Sequence, residues 1–238
     1  MLSQVKLGDI EVDVVLKDIK NLHLSVHPPT GRVRIAAPKR MHIDTIRVFA
    51  ISKLDWIKEQ QKKLRAQQRE TPRDYVDRES HYLWGKRYLL TVSESDDPPS
   101  IEVKHSRMLL RVRPRTDEDK REALVEEWYR EQLKEAVPPL LARWQPVLDV
   151  RVERFFVQRM KTKWGSCNPK ARTVRLNTEL AKKPSECLEY IVVHEMVHLI
   201  EPTHNARFTK VLSHFMPQWQ HYRDALNGLP VRHERWSY

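Results

Sequence analysis

Glycine is scarce in this 238-residue chain, occurring only as Gly8, Gly31, Gly85, Gly165 and Gly228. These positions lie too far apart for a phosphate-cradling loop or a dinucleotide fingerprint, and no G-x-S-x-G nucleophile elbow occurs. Several large enzyme classes drop out on that ground. Cysteine is scarcer still. Cys167 and Cys187 are too few for a disulfide framework. Long apolar runs are also missing: the segment MLSQVKLGDIEVDVVLKD does not resemble a signal peptide, and no stretch approaches membrane-spanning length. A reducing cytoplasm is the expected compartment. Negative charge is in deficit, with 43 Lys and Arg against 32 Asp and Glu and a formal net charge of +11. Such a surface suits acidic partners, nucleic acid among them, but net charge designates no site.

What is present reads as a mixture of strands and helices. Residues 6–16 alternate as a strand does, and Leu24–His27 and Arg32–Ala37 flank a Pro-Pro-Thr-Gly turn, the pattern of a hairpin. Residues 43–69 then repeat apolar side chains at helical spacing through Ile43, Ile46, Phe49, Ala50, Leu54 and Ile57. A second β-rich stretch follows, at 81–93 with a turn at Gly85 and at 101–113. From Asp117 to Trp144 the period becomes helical again, with Pro138 and Pro139 expected to kink or break the helix. Strand-like segments at 149–159 and 173–177 flank a predicted loop, MKTKWGSCNPKA, and helices are expected over 184–201 and 204–214, with a short helical piece after Pro217. No internal repeat is visible. Two lobes are expected, residues 1–115 and 116–238.

Within the first of the closing helices lies IVVHEMVHLIEPTHNARF, residues 191–208. Histidines four apart lie on adjacent turns of one helix face, so His194 and His198 point the same way. Glu195 projects about 100° around the axis, placed to reach a water beside them. The remaining positions, among them Ile191, Val192, Val193, Met196 and Val197, make the helix apolar on nearly all sides, which is the mark of a buried helix. Buried imidazoles and a buried carboxylate are costly unless paired, and one divalent cation would compensate all three. Catalytic zinc sites take three protein ligands and leave a fourth position for water. Pro202 should end the helix and bring His204 back as the third ligand, with Thr203 capping the next helix. The alternative is that His194 and His198 are core histidines bonded to backbone, with His204 at the surface.

Around this constellation other residues invite roles. Cys167 is a candidate nucleophile or metal ligand, though a buried thiol packed beside Trp164 is its ordinary reading. Glu189 and Glu201 are candidates for orienting the histidines. Residues 173–177 form either an exposed sheet edge for strand addition by a peptide or a core strand. Tyr222 could stabilise an oxyanion or simply pack. Lys161, Lys163, Lys182, Lys183, Arg207 and Lys210 could form an electropositive rim, or be ordinary solvated cations. His214 and His221 do not have the spacing of a second ligand pair.

Trp164–Cys167, Arg175–Asn177, His194–His198, and His204 with Phe208 together resemble the YgjP-like metallopeptidase family, a relative of the SprT-type and WLM-type zinc proteases. Members show W-G-S-C, a short R-L-N-like strand, H-E-x-x-H and a third histidine followed by a phenylalanine. The strict motifs cover about the last third of the chain, and the Trp56–Ile57 helix matches more loosely. Thr203-His204-Asn205 and Phe208-Thr209 stand where many members have Asn-His-Ser and Phe-Trp. The resemblance implies an α+β protein, a β-rich N-terminal lobe followed by a zincin-like lobe. It also implies Zn2+ held by His194, His198 and His204, with Glu195 as the base of a peptidase acting on peptide or protein. Two rivals stay open. One is a metal-dependent pyrophosphatase acting on UTP, an activity also attached to the family. The other is a nucleic-acid-associated module with structural zinc.

Overall fold

Alternating apolar residues at the start of the chain pair into a sheet as soon as a turn is available. The computed structural model describes residues 2–27, 31–66, 73–160 and 163–229. Strands β1 (Leu2–Leu7) and β2 (Ile10–Lys17) form a hairpin across Gly8–Asp9, so the alternating segment 6–16 spans a turn. Strands β3 (His23–His27) and β4 (Arg32–Pro38) form a second antiparallel hairpin, and β4 lies parallel to β2, giving the order β1-β2-β4-β3. One face buries Val5, Val12, Val14, Val33, Ile35 and Ala37 against Ile46, Ala50 and Ile57. The last three belong to α1 (Ile43–Ser52) and α2 (Leu54–Ala66), two helices where one was expected over 43–69. They part at Lys53, whose N–H bonds to the carbonyl of Ala50 at 3.2 Å. Residues 67–69 of that expected helix and residues 28–30 of the Pro-Pro-Thr-Gly turn lie outside the described residues.

The second β-rich stretch repeats this strand plan. Strands β5 (Ser80–Leu83) and β6 (Lys86–Glu94) form a hairpin, β7 (Ser100–Lys104) and β8 (Arg107–Val112) another, and β8 runs parallel to β6 in the order β5-β6-β8-β7. A duplication of topology is therefore present that no sequence repeat announces. Helix α3 (Glu118–Leu148) follows, capped by Asp117, whose side chain accepts from the N–H of Lys120 at 2.9 Å. It runs unbroken through Pro138, Pro139 and Pro146. Each proline removes an intrahelical bond, but Val125, Tyr129, Leu133, Val137 and Leu141 keep a buried stripe at four-residue steps on both sides of the proline pair. Tertiary packing overrides the local cost.

A third sheet follows, ordered β10-β11-β9 from β9 (Arg154–Gln158), β10 (Gly165–Asn168) and β11 (Thr173–Asn177). The predicted loop over W-G-S-C is thus largely a strand, antiparallel to β11. A short 3-10 helix at Thr178–Lys182 leads to α4 (Ser185–Val197), α5 (Ala206–Phe215) and α6 (Trp219–Gly228). Leu110, Leu133, Val174, Leu176, Val192, Val193 and Met196 belong to one continuous core.

The chain divides into two compact units: residues up to Glu70 belong to one, and Thr71–Leu229 form the other. The division falls at 70/71 and not at the expected 115/116, because the second sheet shares its core with α3 and α4. The architecture is α+β, β-rich toward the N-terminus and helical toward the C-terminus. Among the described residues no helix is long and apolar enough to cross a membrane.

Candidate metal and catalytic site

Helix α4 is rich in β-branched residues of modest helix propensity, yet nine of its residues, including Ile191, Val192, Val193, Met196 and Val197, are buried. Burial on nearly every side holds it helical. It packs against β10 and β11. His194 lies in its last turn and His198 is its C-cap. The helix therefore ends earlier than the predicted 184–201, and residues 199–201 tighten into turns bonded back to Met196 and Val197. Asn205, and not Thr203, caps α5: its side chain accepts from the N–H of Phe208 at 3.0 Å. His204 accordingly stands just ahead of the helix and not in its opening turn.

The turn returns His204 to the first pair. Nε2 of His204 lies 2.9 Å from Nε2 of His194, and the ligand atoms offered by His194, His198 and His204 all lie within 4.8 Å of one another. The ring centroids are 4.9 Å apart for His194 and His204, 5.1 Å for His194 and His198, and 4.6 Å for His198 and His204. Buried Phe208, one turn into α5, sits 4.7–5.0 Å from all three rings and is the apolar wall they rest on. Among the described residues no fourth histidine, cysteine or acid joins the group. The donor set suits a divalent cation on its own evidence. Burial and the neighbouring imidazoles push His194 down to about 4, which keeps its lone pair available at neutral pH. His198 is lowered as well, by burial first. Its Nδ1 lies 3.2 Å from the carbonyl oxygen of Glu201, which leaves Nε2 for the shared point. Nδ1 of His194 is buried without a hydrogen-bond partner among the described residues.

Glu195 is 5% exposed and its Oε2 is buried without a hydrogen-bond partner among the described residues. Burial pushes its carboxyl up to about 8, against the pull of the Lys163 charge. The carboxylate lies directly under β10: a Cβ on Gly165 would come within 2.6 Å of its Oε1. Gly165 is thus a space requirement of the site, a role that its place in W-G-S-C did not disclose. Asn177 fixes the segment leading into β10. Its Nδ2 donates to the carbonyls of Met160 and Lys163 at 2.9 and 2.8 Å, while its own N–H reaches the Trp164 carbonyl at 2.9 Å.

The three histidines and Glu195 line a cleft of about 550 Å³ together with Lys163, Gly165, Cys167, Tyr190 and Arg223. Tyr190 and Arg223 carried no sequence signal, since an isolated tyrosine or arginine on a helix has none. Other candidates fall elsewhere. The Glu189 carboxylate is taken by Arg143 and by Trp144, whose Nε1 donates to it at 2.9 Å. Glu201 orients His198 through its carbonyl, while its carboxylate accepts from Thr203 at 3.0 Å. The Tyr222 hydroxyl donates to Gln218 at 3.1 Å and lines a separate cavity. Burial, and secondarily Glu195, raises the Cys167 thiol to about 11, unlike an activated nucleophile.

Of the two readings of 173–177 the core strand is the one found: β11 is hydrogen-bonded on both sides, and β10 holds an edge beside Glu195. Lys182 and Lys183 are buried, 5% and 3% exposed, and so form no rim. Lys182 instead pairs with Glu179 at 2.8 Å. Arg207 and Lys210 are exposed, and Lys161 lies outside the described residues.

The family model of the YgjP-like, metallopeptidase domain matches residues 20–228. Among solved structures, the crystal structure of the metallopeptidase zymogen of Pyrococcus abyssi abylysin is similar over 38% of this chain and 90% of its own, with 21% identity and a TM-score of 0.36. No curated protein matches the sequence.

Proposed function

The chain belongs to the YgjP-like metallopeptidase family, and from that premise we propose that it is a zinc-dependent peptidase whose site is formed by His194, His198, His204 and Glu195. One observation carries the reading: three imidazole donors converge within 4.8 Å of one another in a cleft also lined by the buried Glu195, whose Oε2 has no hydrogen-bond partner among the described residues. Three nitrogen donors with no fourth among the described residues match the open zinc sites of hydrolases better than closed structural ones. Zinc bound there supplies a Lewis acid that acidifies water and polarises a carbonyl.

The protein's own groups do the rest. His198 is oriented by the Glu201 carbonyl and His194 by the wall of Phe208. Glu195 takes the proton of the attacking water and passes it to the leaving amine. Its carboxyl, buried and pressed under Gly165, is held in one place in the cleft. The free edge of β10 offers backbone groups to an extended peptide, which main-chain pairing would align beside Glu195. Two free cysteines support the cytoplasm as the compartment.

Metal analysis of the purified protein tests the ligand set. Wild type should carry stoichiometric zinc and His204→Ala should lose it; unchanged stoichiometry would remove His204 from the shell. Assays of casein-like protein and of UTP, run in parallel, test the reaction. Peptide hydrolysis without pyrophosphate release is expected, and UTP turnover alone would sink the peptidase reading.

A further inference from the structure

A peptidase cleft must also choose its substrate, and the charges lining this one are unequal. Of the side chains that line it, Lys163 and Arg223 are cationic, and Glu195 is the single carboxylate. Glu195 lies buried beneath Gly165, committed to the reacting end. The other nearby acids are occupied, Glu201 by Thr203, Glu189 by Arg143 and Trp144, and Asp224 by Arg223 itself. The charged side chains that the cleft lining leaves for a substrate are therefore its two cations.

Neither cation is an idle surface group. Arg223 is pre-organised: its Nε and Nη2 each lie 2.9 Å from Oδ1 of Asp224, and its guanidinium carbon stands 5.0 Å from the Trp219 ring centroid. A guanidinium held along one edge and stacked on one face presents its remaining N–H groups in a fixed direction, the geometry suited to a carboxylate. Lys163 makes no ion pair among the described residues, and the buried amide of Asn177 holds its carbonyl at 2.8 Å. Its charge reaches the buried Glu195 carboxyl without forming an ion pair with it, which leaves a cation on an anchored backbone for a carboxylate brought by a ligand.

We propose that this cleft selects peptides bearing a carboxylate, which Arg223 and Lys163 recognise. The inference rests on the peptidase reading and names its substrate class: acidic peptides. The carboxylate can be an internal Asp or Glu side chain or the free end of the chain, and basic peptides are disfavoured.

Binding to the zinc-loaded Glu195→Gln protein reads this without turnover. Fluorescent peptides would differ at one internal position, Glu, Gln or Lys, each with a free and an amidated C-terminus. The carboxylate peptide should bind about tenfold tighter than its neutral counterpart, as a charge-assisted hydrogen bond in a partly dry site allows. Preference that follows the internal Glu assigns a side-chain subsite, and preference abolished by amidation assigns a chain-end subsite; each supports the proposal. Arg223→Gln should erase most of the preference and Arg223→Glu should turn it toward the Lys peptide. Should Arg223→Glu lose its fold by circular dichroism, Lys163→Glu takes the same measurement. Equal affinity for all peptides, no measurable binding of any, or a preference unchanged in both charge variants would overturn the proposal. Wild-type hydrolysis of the same peptides is scored separately: binding preference without hydrolysis removes the peptidase reading, while hydrolysis without preference removes the charge selection.

Discussion

Two sheets in this molecule share one strand plan and differ in what lies on them. β1–β4 and β5–β8 both pair hairpin to hairpin through a central parallel contact. The first is closed by two short helices, with Ile46, Ala50 and Ile57 completing an aliphatic core that contains no site residue. The second shares its core with α3 and α4, so its packing is continuous with the helix that carries His194 and Glu195. Their first turns make the contrast local. Around Gly8 a Cβ would meet nothing within 4 Å, whereas at Gly85 it would meet Pro184, the N-cap of α4, at 3.0 Å, and the neighbouring Trp84 N–H bonds to the Ala181 carbonyl at 2.8 Å. One hairpin ends in open space; the other braces the site helix. Strand order alone assigns no role, and the element seated on the sheet does.

Four measurements should separate the two sheets. The largest effect belongs to the site: Glu195→Gln should cut peptide turnover about 10³-fold with zinc content unchanged, and hydrogen exchange across residues 2–38 should not move. Core truncations come next. Ile35→Ala and Leu110→Ala remove fully buried side chains from the two sheets, and each should cost about 2–5 kcal/mol of stability in its own unit. Only Leu110→Ala should weaken zinc affinity; a loss with Ile35→Ala would refute the distinction. The turn glycines give a smaller, paired effect. Both have positive φ, +60° at Gly8 and +76° at Gly85, so Gly8→Ala should cost about 1–2 kcal/mol for the left-handed backbone. Gly85→Ala adds crowding against Pro184, and thermal unfolding should show it as the worse of the two.

The smallest effect is a difference in acid response. Burial pushes Asp13 up, but hydrogen bonds from Arg32 and Gln4 and the charges of Arg32 and Arg34 outweigh it, so its carboxyl lies below the ordinary 3.8. The stability it contributes is complete above 3.8 and is lost as pH falls through the lower folded value. His81, fully buried at the start of the second sheet, is lowered from 6.5 by burial, which the Glu79 carboxylate 3.0 Å away only partly offsets. Its contribution is complete above 6.5 and declines as pH falls below it, because the unfolded imidazole binds the proton first. His27, in β3 of the first sheet, is lowered too, by burial and by the charges of Arg34 and Arg32, so both sheets should loosen as pH falls below 6.5; hydrogen exchange at stepped pH should show His81→Gln removing this response from the second sheet and leaving the first unchanged.

Much of the site was legible because its chemistry is local. The spacing of His194, Glu195 and His198 implied one helix face, and Pro202 implied the return of His204. The detail of that return was not legible: Thr203 and Asn205 are equally good caps on paper, and only the position of the Phe208 N–H selects Asn205. The W-G-S-C strand read as a loop because four residues with a glycine carry no periodicity, and its partner β11 supplies the order. Lys182 and Lys183 read as surface charge because their surroundings come from elsewhere in the chain: Lys182 finds Glu179 and the Tyr129 ring, and Lys183 stands over the Trp164 ring. The repeated strand plan was invisible because pairing constrains which positions face inward and not which apolar residue fills them.

The candidate donors, their helical spacing and the apolar setting that makes them costly without a cation are written in one segment of the chain, since they follow from the 3.6-residue period and from desolvation. That Gly165 covers the carboxylate, that Phe208 backs all three imidazoles and that Arg223 shares their cleft came from the folded arrangement alone. Those contacts join residues on separate elements, and the packing of one side chain against another is set by the whole core and written in no single segment.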